Sequence, residues 1–143
     1  NVFVAGFIGR PAMNFLDVVL KKEGETYIID GKTFKMEVPA TKAASIKDLG
    51  KYVDKQVILG IRPEDIEDAA LVADDPDFSE MEADVDVTEP MGAEVYVYFS
   101  TGDNTFIARL DASTTATDGS KQKVGFNLNK IHFFDKDTEE VIR

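Results

Sequence analysis

Apolar residues beyond residue 11 recur in short clusters and in strict alternation, and only one short stretch carries a helical spacing. "EADVDVTEP", "AEVYVYFS" and "NTFIARLD" alternate with period two, as half-buried strands do. "NFLDVVLKKEGETYIIDGKTFKMEV" carries apolar clusters separated by Glu23-Gly24-Glu25 and by Asp30-Gly31, and the Asp-Gly pair predicts a tight hairpin. "QVILGI" reads as a buried strand, and a final strand is expected near residues 124–128, after a polar loop at 114–120. In "SIKDLGKYV", Ser45 is placed to N-cap a short helix with Asp48 three residues on and Ile46, Leu49 and Val53 along one face. Residues 1–8 suit a short amphipathic turn of helix that Gly9 to Pro11 ends. Many short strands with turn signals and no internal repeat predict an all-β barrel or sandwich.

Length and composition fit that pattern to one domain. A chain of 143 residues, 43% hydrophobic, can bury a core. Its longest apolar runs, such as "VYVYF" and "VILGI", are too short to cross a bilayer as helices. No charged leader with an apolar run and a cleavage site is recognisable, and there are no cysteines for disulfides or thiolate chemistry, so a soluble, cytoplasmic protein is expected. The chain opens on Asn1, which leaves room for a preceding leader or domain.

Charge removes one class of partner. The net charge is −11, and from Pro63 to Ala108 there is no Lys, Arg or His. Nucleic-acid binding depends on cations that neutralise phosphates, so this surface is expected to repel nucleic acid and to serve as a solvated acidic face. Tyr96, Tyr98 and Phe106 are placed as a stacking OB-fold would place them, but without a basic groove they read as core.

The chemistry-bearing motifs are few. No phosphate-cradling GxxxxGK[ST] loop occurs, and "DGSKQKVG" has the wrong order and falls in an expected hairpin loop. His132 is the only histidine and has no cysteine to join it, which leaves no His-based zinc site; it reads as a strand-end or surface residue. "DDPDFSE" lacks the glycine and terminal glutamate of a calcium loop and reads as a flexible acidic loop. The most specific stretch is "VILGIRPEDI". Gly60 allows close backbone approach, Pro63 stops the strand, and Glu64 and Asp65 are placed to cap the turn that follows. Arg62 then falls at a barrel rim, where a partly buried guanidinium held by an acid from the second half is expected.

Four segments in order, "NVFVAGFIGRPAMNFL", "VILGIRPEDI", "VTEPMGAEVYVYF" and "IHFFDKDTEEVI", resemble the C-terminal regulatory region of ATP-binding subunits of sugar importers, the maltose and multiple-sugar type of ABC transporter. Its Gly-Ile-Arg-Pro-Glu core stands at Gly60, Ile61, Arg62, Pro63 and Glu64. Its Glu-Pro-x-Gly-Ala-Glu places Glu89, Pro90, Gly92 and Glu94. Departures at Arg10, Met91, Phe133 and Glu140 leave these cores untouched.

The resemblance implies an OB-like (TOBE) barrel of short antiparallel strands with one or two short helices over residues 11–143. Residues 1–10 would be the tail of a nucleotide-binding domain and its linker. It further implies a regulatory and dimerisation module without catalytic, cofactor or metal residues, whose nine motif residues serve structure or partner contact. Implied partners are its own nucleotide-binding domain, a second copy of itself, membrane permease subunits at the inner face of the cell membrane, and regulatory proteins. ATP and Mg belong to the longer parent. Related barrels in oxyanion importers make a small-ligand sensor the alternative, against which the acidic charge argues.

Overall fold

The computed structural model describes residues 11–143. The amphipathic turn and linker expected over residues 1–10 lie outside the described residues. Ten strands form two antiparallel sheets of five, in the order β10-β4-β1-β2-β3 and β5-β9-β6-β7-β8. The fold is all-β and OB-like, as the alternation predicts.

The first sheet is built from β1 (Asn14–Glu23), β2 (Thr26–Asp30), β3 (Lys35–Glu37), β4 (Gln56–Ile61) and β10 (His132–Asp135). Along β1 the side chains of Leu16, Val18 and Leu20 go to the core while Asp17 and Lys21 face water, the period-two pattern of a one-sided strand. The tight hairpin is at Gly24–Glu25, where Gly24 has φ +59° and Glu23 pairs with Thr26. Asp30-Gly31 does not form the two-residue turn expected of it. It opens a longer loop in which Lys32 has φ +71° and donates its N–H to Asp30 Oδ1 at 2.9 Å. Phe34 decides this, because its ring covers Gly31 so closely that a Cβ there would clash.

The expected Ser45-capped helix is displaced. Helix α1 spans Ala40–Ala44, begins after Pro39, and has Ser45 at its C-terminal end, where Ser45 Oγ donates to Lys42 C=O at 2.6 Å. A 3-10 turn at Leu49–Tyr52 follows. Proline at the helix start supplies a preset φ, and burial of Leu49 fixes the turn, so local capping chemistry is overridden.

The second sheet comprises β5 (Ile66–Asp68), β6 (Phe78–Met91), β7 (Glu94–Thr101), β8 (Asn104–Asp111) and β9 (Lys121–Asn127). The last three residues of the expected acidic loop already belong to β6. The strand expected at 124–128 is β9, which starts earlier, and it is not the last: β10 pairs with β4, His132 opposite Gly60. That pairing draws sheet-one side chains from both ends of the sequence. The final residues are tied down by Ile142 N–H to Phe133 C=O at 2.8 Å and Asp48 N–H to Arg143 C=O at 2.8 Å.

One core joins the two sheets. Phe99 stacks on Phe106 at 5.0 Å, Phe106 meets Phe126 edge-on at 5.2 Å, and Leu16, Leu59, Ile61 and Phe133 are fully buried in the same cluster. Phe106 is core as expected, whereas Tyr96 and Tyr98 are half-buried, on positions of β7 that alternate with the core residues Val97 and Phe99.

Two asparagines stitch the sheets along one seam. Over Asn14–Val19, β1 pairs with β4 on one side, and its other side turns to β8, the edge of the second sheet. Asn14 Nδ2 donates to Ile107 C=O at 2.9 Å while Ile107 N–H donates to Asn14 Oδ1 at 2.8 Å. Reciprocally, Asp17 N–H donates to Asn104 Oδ1 at 2.9 Å and Asn104 Nδ2 to Asp17 C=O at 3.0 Å. Each primary amide presents one donor and one acceptor to the backbone C=O and N–H of a single residue, imitating a strand neighbour where no strand pairs.

Candidate functional site

The Gly60–Glu64 motif is a strand end turned by proline. Gly60 is buried in β4 between Phe15 of β1 and His132 of β10, and a Cβ on it would meet Met13 Sδ at 2.6 Å and Phe134 Cε2 at 2.7 Å. Glycine is required here by close packing, with no unusual φ involved. Ile61 is fully buried opposite Asn14, and Pro63 is buried as the first residue of a 3-10 turn, Pro63–Asp65.

Arg62 and Glu64 alternate with these buried residues and are exposed. The expectation of a partly buried Arg62 guanidinium held by an acid of the second half is therefore corrected. The ion pairs seen among the described residues are made by Lys21, Lys51, Arg109 and Lys121. Strand parity decides the matter: Leu59, Ile61 and Pro63 take the buried face, so the chain at Arg62 (φ −79°, ψ 151°) turns its side chain to the other face, where it is exposed. The turn is also not capped by Glu64 or Asp65 side chains; Asp65 N–H donates to Arg62 C=O at 3.0 Å.

Around this strand end the charges interact through partly desolvated surroundings. Asp65 has its pKa raised, first by burial and then by Glu64, with Arg62, Lys130 and His132 opposing. His132, half-buried at the start of β10 as a strand-end residue, is held below the usual imidazole range by burial, then by Lys42 and Arg62. Lys42 is lowered by burial and by Lys130, and its Nζ donates to Asn129 C=O at 3.3 Å.

The second motif builds a hairpin. Glu89, Pro90 and Met91 at the end of β6 face Tyr96, Val95 and Glu94 of β7, and Gly92-Ala93 close the two-residue turn. Gly92 has φ +74° with open space around it, so glycine serves conformation alone here. Glu94 Oε2 is ion-paired with Arg109 Nε at 3.1 Å. Glu67 of β5 lies in the field of Asp111, Arg109 and Glu94 and has its pKa raised, chiefly by burial and next by Asp68. The two motifs thus occupy different elements, with no ion pair between Arg62 and Glu94.

Sequence reasoning missed Asn14 and Asn104, although Asn14 stands in the quoted "RPAMNFL". Their signal, a buried amide on an otherwise apolar face, becomes legible only once β1 and β8 are known to meet. Asp68 is a third missed residue: buried, it accepts from Thr114 Oγ1 at 3.0 Å and Gln122 Nε2 at 2.8 Å, pinning the 112–120 loop to β5 and β9. Among the described residues no group of three or more His, Asp or Glu side chains is arranged to hold a metal ion, and no helix is long and apolar enough to cross a membrane.

Two curled antiparallel sheets, a glycine-proline strand end and a glycine-turned hairpin define an OB-like β domain. Residues 9–66 match the MalK OB fold domain and residues 59–134 match the TOBE domain; the chain belongs to the TOBE domain family. The chain is 41% identical over its whole length to the oligosaccharides import ATP-binding protein MsmX of Bacillus subtilis, and 41% identical to the multiple sugar-binding transport ATP-binding protein MsmK of Streptococcus mutans. It is 36% identical over 99% of its length to the trehalose/maltose import ATP-binding protein MalK of Thermococcus litoralis. It spans 38%, 37% and 37% of these three relatives. The cytoplasmic molybdate-binding protein ModG shares the fold, with a TM-score of 0.54 at 12% identity, covering 89% of this chain and 97% of that one.

Proposed function

We propose that this chain is the regulatory and dimerisation domain of the ATP-binding subunit of an ABC-type sugar importer. The observation that carries the reading is full-length similarity to three sugar-import ATP-binding proteins, each more than twice as long as this chain. The ATPase motifs belong to the remainder of the parent, since no phosphate loop occurs in these 143 residues; ATP and Mg would be bound there. Its partners would be its own nucleotide-binding domain, a second copy of itself, permease subunits and regulatory proteins, with the assembly at the cytoplasmic face of the membrane.

In this reading the buried motif residues Gly60, Ile61 and Pro63 shape the strand end and the exposed Arg62 and Glu64 meet a partner. Glu89, Pro90, Gly92 and Glu94 set the β6–β7 hairpin. A two-fold contact between copies is isologous, so one patch must complement itself.

Self-association should be weak in isolation, because tethered ATPase domains raise the effective concentration of the second contact. Sedimentation velocity over a concentration series tests it: monomer–dimer exchange is expected, and a strictly monomeric species at high concentration would count against the dimerisation part. Calorimetric titration with ATP should give no heat of binding; micromolar affinity would overturn the assignment of ATPase chemistry to the rest of the parent.

A further inference from the structure

Where β5 ends, a hollow of about 380 Å³ opens on the second sheet, with Leu71, Glu80, Ser113, Thr115 and Lys123 lining it around Asp68. Three stretches of chain build it: the 3-10 turn Ala69–Leu71, the 112–120 loop, and β9, which Asp68 joins by pairing with Val124. Asp68 is the unusual member. It is 7% exposed, yet it takes part in none of the ion pairs seen among the described residues. A buried carboxylate is costly unless donors surround it. Thr114 Oγ1 and Gln122 Nε2 both donate to Oδ1, and no hydrogen bond to Oδ2 is seen among the described residues. Oδ2 is not sealed from solvent either, so it stands at the hollow as an anchored acceptor with capacity left.

The chemistry of the walls selects the ligand. Lys123, which also makes no ion pair among the described residues, opposes a metal ion, and Asp68 with Glu80 opposes an anion. What remains is a neutral molecule that both donates and accepts hydrogen bonds. Ser113 and Thr115 add exposed hydroxyls, and Leu71, 60% exposed, adds an apolar surface. A few polar groups converging beside an apolar wall, in a hollow of this size, is the pattern of a small-molecule site.

We propose that this hollow binds a neutral sugar ring, with one hydroxyl donating to Asp68 Oδ2, another accepting from Lys123 Nζ, and the ring's C–H face lying on Leu71. An occupied hollow ties the 69–71 turn to the 112–120 loop. In the ATP-binding subunit of an importer this would couple the regulatory domain to sugar on its own side of the membrane; that consequence rests on the function proposed above, whereas the binding is a property of this chain and stands or falls apart from it.

Titration of the nitrogen-15-labelled chain of 143 residues with glucose and with maltose, followed by amide chemical shifts, tests this. Saturable shifts are expected at Asp68, Leu71, Thr115 and Lys123 with at least one of the two sugars, with a Kd of about 1–10 mM because the hollow is open on one side. Asp68→Asn, which keeps the Oδ1 acceptor and replaces Oδ2 by a donor, should weaken binding at least about five-fold, and so should Lys123→Ala. Lys123 is exposed, so its variant decides the question even where Asp68→Asn fails to fold. Lys51→Ala, in an exposed turn of the first sheet, should bind as the parent does. Glucose 6-phosphate should bind more weakly than glucose; tighter binding would overturn the neutral ligand. No saturable shift with either sugar up to about 50 mM, well beyond the expected Kd, shifts confined to other residues, or an unchanged Kd in Lys123→Ala would each overturn the site.

Discussion

Truncating Asn14 to alanine is the most informative perturbation of this fold, because it removes a side chain and strands the backbone N–H and C=O of a distant residue. Asn14 is 4% exposed and its amide serves both the N–H and the C=O of Ile107, 93 residues away. Alanine leaves both groups facing the seam with no strand to replace the amide. An unsatisfied buried donor or acceptor costs about 1–3 kcal/mol, so two, partly reachable by water along the β8 edge, cost about 2–4 kcal/mol. For a chain of this length each kcal/mol lowers Tm by roughly 3 °C, giving a drop of about 6–12 °C. Asn14→Asp keeps the acceptor for Ile107 N–H, loses the donor, and sets a carboxylate oxygen against the Ile107 carbonyl, so at neutral pH it should be no better than alanine. Asn104→Ala removes the matching pair to Asp17 and should cost a similar amount. Because both amides hold one seam, the double variant should lose less than the sum, the second bond being weakened already when the first is gone. Urea unfolding of the four variants measures this. Single-variant losses under about 0.5 kcal/mol would refute the claim that these amides close β1 onto β8.

Three further outcomes follow from the same geometry. Arg62→Ala should change stability by less than about 0.5 kcal/mol, as surface substitutions away from networks do, and a large loss in thermal unfolding would reinstate a buried partner. Gly60→Val should cost several kcal/mol in urea unfolding, since its Cβ alone meets Met13 and Phe134, whereas Gly92→Ala should cost about 1 kcal/mol through its φ of +74°, and equal costs would refute the distinction. His132 titrates below its unfolded value of about 6.5, so the unfolded chain takes up its proton first; stability from this group is full above that pH and falls as pH drops through the window beneath it. Asp65, with a raised pKa, slopes the opposite way at lower pH, so the comparison of His132→Gln with the parent isolates the histidine: the variant should lose less stability between pH 7 and 5.5, and parallel curves would refute it.

Local chemistry determined the strands themselves. Period-two alternation in "AEVYVYFS" and "NTFIARLD" is the pleat written in side chains, and Gly92 after Glu89-Pro90 marks a turn because few other residues take φ near +74°. The Gly60–Glu64 stretch was legible for the same reason: an apolar run, a glycine and a proline specify a buried strand end without reference to neighbours. Tertiary structure decided what depends on which strands meet. Ser45 ends a helix because Pro39 and buried Leu49 set the frame, and Asp30-Gly31 loses its tight turn because Phe34 folds over Gly31. Arg62 is exposed because its burial depends on strand parity against β1 and β10, and β10 itself exists only through pairing with β4. Asn14 and Asn104 gain their role from a seam between residues about 90 positions apart, where the energy of a polar group is set by its partner in space, which the local sequence does not encode.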